Sequence, residues 1–112
     1  MLSELIRSPN DILVSKTAND SFYNSPLTEI LLKNNISEIF ITGCATDFCV
    51  DTTIKSALSK DFKITIVEDG HTTASRPFVD AQTIIKHYNW VWNDMSPTKY
   101  KLCVVKTKDI AI

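Results

Sequence analysis

The run Thr42-Gly-Cys-Ala-Thr-Asp-Phe-Cys-Val-Asp-Thr-Thr53 carries the densest chemical signal in the chain. It joins the end of an apolar strand to a glycine turn, a cysteine and the start of a helix. Gly43 suits a sharp turn where backbone must approach another group closely. Thr46 or Asp47 can cap the helix, which places Cys49 in its first turn. Unpaired backbone N–H groups and the positive end of the helix dipole favour an anion there, and a thiol in such a position ionises readily. The same amides can hold an oxyanion after attack on a carbonyl. Strand, tight turn, nucleophile and helix is the logic of a nucleophile elbow, with sulfur in place of oxygen. The competing reading is a buried structural cysteine. The residues alone leave both open.

Lys16 is the natural companion to Cys49, because it ends an apolar run that points to the same sheet edge. It is either a solvated strand terminus or a cation that stabilises a thiolate or a developing oxyanion. Cys44, between Gly43 and Ala45, reads as structural, and Cys103 as a core residue of a strand. The separation of Cys44 and Cys49 matches no zinc-ligand spacing. His71 offers a base or a plain loop residue. His87 lies among Tyr88, Trp90 and Trp92 and reads as packing or interface. Arg76 reads as solvated, with anion binding as the alternative.

Those residues need elements to position them. Short apolar runs alternate with segments of helical period. Strands are predicted at Ile12-Leu-Val14, Ile39-Phe-Ile41, Ile64-Thr-Ile-Val67 and Leu102-Cys-Val-Val105. A helix after Ser25-Pro26 shows Leu27, Ile30 and Leu31 on one face and stops at Asn34-Asn35. A second has the stripe Val50, Ile54, Ala57 and Leu58. A third begins at Ser75 and Pro77, with the stripe Phe78, Ala81, Ile85, Tyr88 and Trp92. Unbroken apolar strands joined by helices indicate a parallel sheet with right-handed crossovers, in a three-layer α/β/α arrangement. Such sheets carry their chemistry at the carboxyl ends of the strands, where Lys16, the Gly43–Cys49 loop and Asp69-Gly-His71 converge.

Composition narrows the function. The 112 residues are 44% hydrophobic, which suits one small domain spanning 1–112. Lysine plus arginine number 12 and aspartate plus glutamate 13, so the net charge is −1. That balance lacks the basic footprint of a nucleic-acid binder. No apolar run approaches the roughly 20 residues that span a bilayer. Met1–Asn10 lacks the apolar core of a signal peptide. Three cysteines leave one unpaired in any intramolecular scheme, which points to free thiols in a reducing, cytoplasmic setting.

From about Ser3 to its end, the chain resembles the isochorismatase-like cysteine hydrolases, which include nicotinamidases, N-carbamoylsarcosine amidohydrolases and isochorismatases. The resemblance is carried by Val14-Ser-Lys16, Asp20-Ser-Phe22, Gly43-Cys-Ala-Thr-Asp-Phe-Cys-Val50 with Thr52-Thr53, Ala57, and Asp69-Gly-His-Thr-Thr-Ala74. It implies the Rossmann-like isochorismatase fold, with Cys49 as nucleophile and Lys16 as catalytic lysine. A cis peptide would fall between Cys44 and Ala45, and the amides of Ala45 and Cys49 would form the oxyanion hole. One departure stands out. Family members begin with a strand ending in a catalytic aspartate, and nothing upstream of Lys16 can be that strand. The Asp/His metal cluster of nicotinamidases would lie in the same region, so no metal or cofactor is expected.

The chain thus reads as the C-terminal portion of the family domain, N-terminally truncated. The resemblance implies a hydrolase that opens a small-molecule amide or related C–N or vinyl-ether bond through a Cys49 thiolate. The alternative is a non-catalytic remnant that serves as an oligomerisation or interaction module. Its expected partners are a small-molecule substrate and either further copies of itself or a chain supplying the absent strands, without nucleic acid or membrane.

Overall fold

The computed structural model describes residues 8–111. The opening Met1–Arg7, including the start of the resemblance at Ser3, lies outside the described residues. Helix α1 (Leu27–Lys33) leads to strand β1 (Glu38–Cys44), and a single π-helical turn, Thr46–Val50, runs directly into α2 (Asp51–Ser59). Strand β2 (Lys63–Thr72), helix α3 (Ala81–Asp94) and the short strand β3 (Cys103–Val105) follow, and a 3-10 turn covers Thr107–Asp109.

The sheet has the order β1-β2-β3, and both pairings are parallel. The α/β class with a parallel sheet is therefore as predicted. Register sets Ile39 beside Ile64, Ile41 beside Ile66, and Ile66 beside Val104, so these side chains share one face. Against that face lie Val50, Ile54, Ala57 and Leu58 of the second predicted stripe, together with Trp92 of α3 and Phe22. Leu27 and Leu31 of α1 pack on the same cluster. The driving force is removal of apolar surface from water. The core sits beneath the carboxyl ends of β1 and β2, and the π-turn stands on it.

Two elements and one side chain depart from the sequence expectation. Ile12-Leu-Val14 forms no strand: its residues have no ladder partner, and Ile12 and Leu13 are 60% and 63% exposed. An apolar run becomes a strand only where a neighbour satisfies its backbone groups. Helix α3 begins at Ala81, not at Ser75, because Asp80 is the N-cap and accepts from the Thr83 amide at 2.8 Å. Phe78 falls before the helix and is 97% exposed, while Ile84 takes the buried position in its place. Cys103 points away from the core and is exposed, as is Cys44.

Both glycines have a conformational or steric reason. Gly43 has φ +132°, a region that L side chains rarely adopt, at the register shift between Ile41 and Gly43. A Cβ on Gly70 would stand 2.8 Å from Val67 and 3.0 Å from Thr42, so only glycine allows β1 and β2 to close there.

Candidate active site

The carboxyl end of β1 delivers Gly43 and Cys44, and the Cys44–Ala45 peptide bond is cis. Ala45 precedes the π-turn, and its carbonyl accepts from the amides of Phe48 and Val50 at 3.0 and 3.1 Å. This turn presents Cys49 at the head of α2. Neither Thr46 nor Asp47 caps the helix: Ala45 occupies the cap position without a side-chain bond. Thr46 points to His71, and Asp47 to Arg76 and Thr73.

Lys16 meets Cys49 across a sequence separation of 33 residues. Its Nζ donates to the Cys49 Sγ at 3.3 Å and to the Ala18 carbonyl at 2.7 Å. The Cys49 thiol lies 3.5 Å from Asn19 Oδ1, an acceptor. Thr53, one helical turn beyond Cys49, anchors this segment: its hydroxyl accepts from the Ser21 amide at 3.0 Å and lies 2.9 Å from the Ser21 hydroxyl. A cleft of about 160 Å³ opens here, lined by Lys16, Cys44, Cys49 and Thr53 among others. A cation beside a half-buried sulfur at a helix start is an arrangement suited to a thiolate.

Asn19 was not singled out by sequence reasoning, and Ser21 entered only as part of the Asp20-Ser-Phe22 motif without a role of its own. Their signal was their position three and five residues beyond Lys16, in a polar stretch without periodicity. Arg76 is partly exposed yet held in place, which the solvated reading did not foresee: Asp47 pairs with its Nε at 2.9 Å, and the guanidinium lies 4.4 Å from the Phe48 ring centroid. His71 is buried and lies apart from bulk solvent, with both ring nitrogens engaged. Among the described residues no group of three or more His, Cys, Asp or Glu is placed to hold a metal ion, and no helix is long and apolar enough to cross a membrane.

Comparison with known proteins supplies a frame for this geometry. A family model described as the isochorismatase domain matches residues 1–95. Over 94 residues the chain is 29% identical to the ureidoacrylate amidohydrolase RutB of Cronobacter sakazakii, covering 81% of this chain and 40% of that protein. The structure of an N-carbamoylsarcosine amidase from Thermoplasma acidophilum superposes with a TM-score of 0.74 at 25% identity, over 97% of this chain and 56% of that one. An isochorismatase from Pseudomonas putida KT2440 shares the fold, with a TM-score of 0.88 at 23% identity over 98% of this chain and 56% of that one. The chain spans about two fifths of the length of the curated relatives it matches.

Proposed function

This chain belongs to the isochorismatase family, and from that premise we propose that it is a cysteine-dependent hydrolase acting on a small-molecule amide or related C–N bond. The observation that carries the reading is the 3.3 Å contact between Lys16 Nζ and Cys49 Sγ at the head of α2. In this reading residues 1–112 form one family-type unit, and Cys49 is the nucleophile. Its thiolate attacks the carbonyl carbon, a C–S bond forms, and the carbonyl electron pair moves to oxygen. The amides of Ala45 and Cys49 donate hydrogen bonds to that oxyanion. Collapse breaks the C–N bond and expels the nitrogen leaving group, which takes a proton from solvent; water then adds to the thioester carbonyl, the C–S bond breaks, the acid leaves and the sulfur regains a proton. Lys16 supplies the positive charge that holds the thiolate.

The substrate class follows the relatives: a ureido or carbamoyl compound suits a chain similar to a ureidoacrylate amidohydrolase and an N-carbamoylsarcosine amidase. Three free thiols suit a reducing compartment, and we place the chain in the cytoplasm. A second reading, a non-catalytic module, is favoured by one observation. Among the described residues the polar neighbours of the Cys49 sulfur are Lys16 and Asn19, and neither is a carboxylate base. Such a module would act through association with a second copy or another chain along β1.

Iodoacetamide labelling separates the two readings. Cys49 in the folded chain should label faster at pH 7 than in the urea-unfolded chain. Lys16→Met should slow it about tenfold, about 1.4 kcal/mol, which lies between the water and surface limits for a charge pair at this range. A folded-state rate no higher than the unfolded one would remove the hydrolase reading.

A further inference from the structure

Among the described residues, Thr46 and His71 are the buried polar ones, 0% and 6% exposed. Thr46 Oγ1 lies 2.8 Å from His71 Nδ1, and His71 Nε2 lies 2.8 Å from Asn89 Oδ1. The Asn89 amide nitrogen in turn donates to the Glu68 carbonyl at 3.2 Å. This last contact fixes every direction in the chain. A carbonyl can only accept, so the Asn89 nitrogen faces Glu68 and its oxygen faces the imidazole. The imidazole must then donate from Nε2. In the neutral ring Nδ1 is left as an acceptor, and the Thr46 hydroxyl has a partner for its only proton. With Nδ1 protonated, that buried hydroxyl would lose its acceptor, which proteins rarely tolerate.

A second tie runs in parallel. Trp92, fully buried, donates from Nε1 to Asp51 Oδ1 at 2.9 Å, and its ring meets His71 edge-on at 5.1 Å between centroids. Asn89 and Trp92 are three residues apart on α3 and so share a face. Helix α3 thereby holds the nucleophile turn on both sides of Cys49: through His71 at Thr46, and directly at Asp51.

We infer that His71 is a positioning residue, an Nε2–H imidazole whose Nδ1 accepts from Thr46 and so fixes the turn that presents Cys49. The role rests on the reading of Cys49 as nucleophile, but its geometry does not. His71 is thereby set apart from the general-base role, since both ring nitrogens are committed to Thr46 and Asn89.

Nitrogen-15 histidine NMR on the 112-residue chain reads the tautomer directly, and His71 should show a protonated Nε2 and an unprotonated, hydrogen-bonded Nδ1. Thr46→Val should remove the hydrogen-bond signature at Nδ1, move the amide resonances of residues 45–50, and change the Cys49 labelling rate by tenfold or more. His71→Gln presents a carbonyl oxygen and an N–H to the same partners and should keep labelling within about threefold of the unsubstituted chain. His71→Leu, which presents neither, should not; where it fails to fold, Thr46→Val carries the test. An Nδ1–H ring, or Thr46→Val resonances at 45–50 that match the unsubstituted chain, overturns the positioning role whatever the thiol does. A Cys49 that labels no faster folded than unfolded overturns the hydrolase reading instead.

Discussion

Asp47 and Arg76 are joined at two points, with Nε donating to Oδ2 and Nη2 donating to Oδ1, each at 2.9 Å. The pair ties the loop between β2 and α3 to a residue two positions before Cys49. Thr73 strengthens it, donating to Asp47 Oδ1 at 2.8 Å while accepting from the guanidinium at 3.0 Å. The Arg76 hydrogen bonds hold the Asp47 carboxyl down at about 2, from an ordinary 3.8, against the opposing effect of burial.

This pair predicts acid behaviour. A carboxyl lowered in the folded state contributes stability fully above its unfolded value and loses it as the pH falls through the folded one. The contribution of Asp47 should therefore be complete above about pH 4 and disappear toward pH 2. Arg76→Gln should return the carboxyl toward 3.8 and flatten the stability profile in that window. Urea midpoints measured from pH 2 to 5 check this; parallel acid limbs for the two chains would count against the pair.

The same loop shows where sequence reasoning reached its limit. Local periodicity was enough for α2, whose predicted stripe is buried at every position, and for the parallel order of the strands. Lys16 was expected near Cys49 because strand ends in such sheets converge; the two do meet, but Lys16 arrives on a segment that forms no strand. The place of Arg76 was not legible, since its partner lies 29 residues away and only tertiary folding brings the charges together. Phe78 looked like the first residue of an apolar stripe, yet Asp80 starts the helix after it, and capping chemistry outweighed periodicity. His71 was misread as a loop residue: β2 runs on to Thr72 and holds it buried, and its partners Thr46 and Asn89 come from two other elements.

Cys49 and Cys103 should respond differently to the same substitution. Cys49→Ala should abolish any hydrolase turnover, because the covalent route requires the sulfur. Cys103 is exposed, so Cys103→Ala should leave turnover intact and shift stability by no more than about 0.5 kcal/mol. An amidase assay with parallel urea unfolding reads both. Equal turnover in Cys49→Ala and the unsubstituted chain would exclude the thiol mechanism.

Ile54 is fully buried one turn beyond Val50, where α2 meets the sheet. Ile54→Ala should cost about 2–5 kcal/mol, the range for large-to-small changes in a packed core, and Ile54→Val about 0.5–1.5 kcal/mol. Since small domains hold only about 5–15 kcal/mol in total, the alanine variant should unfold at far lower urea. The valine variant should retain the labelling rate of Cys49, because it changes core volume without moving the turn. Equal midpoints for the two variants would show that α2 is not packed as described.

Strand β1 has β2 as its one neighbour among the described residues, so its outer backbone groups are open to pairing. Phe40 is 42% exposed on the face opposite the core, and Ile12 and Leu13 are also open to solvent. Unpaired edges and apolar patches of this kind drive strand addition or association. The 112-residue chain on its own should therefore sediment above its monomer mass or bind a hydrophobic dye. Phe40→Lys should reduce both effects by placing a charge beside the edge, with little change in far-UV circular dichroism because the side chain lies outside the core. A chain that sediments as a monomer and binds no dye would show that the β1 edge needs no partner.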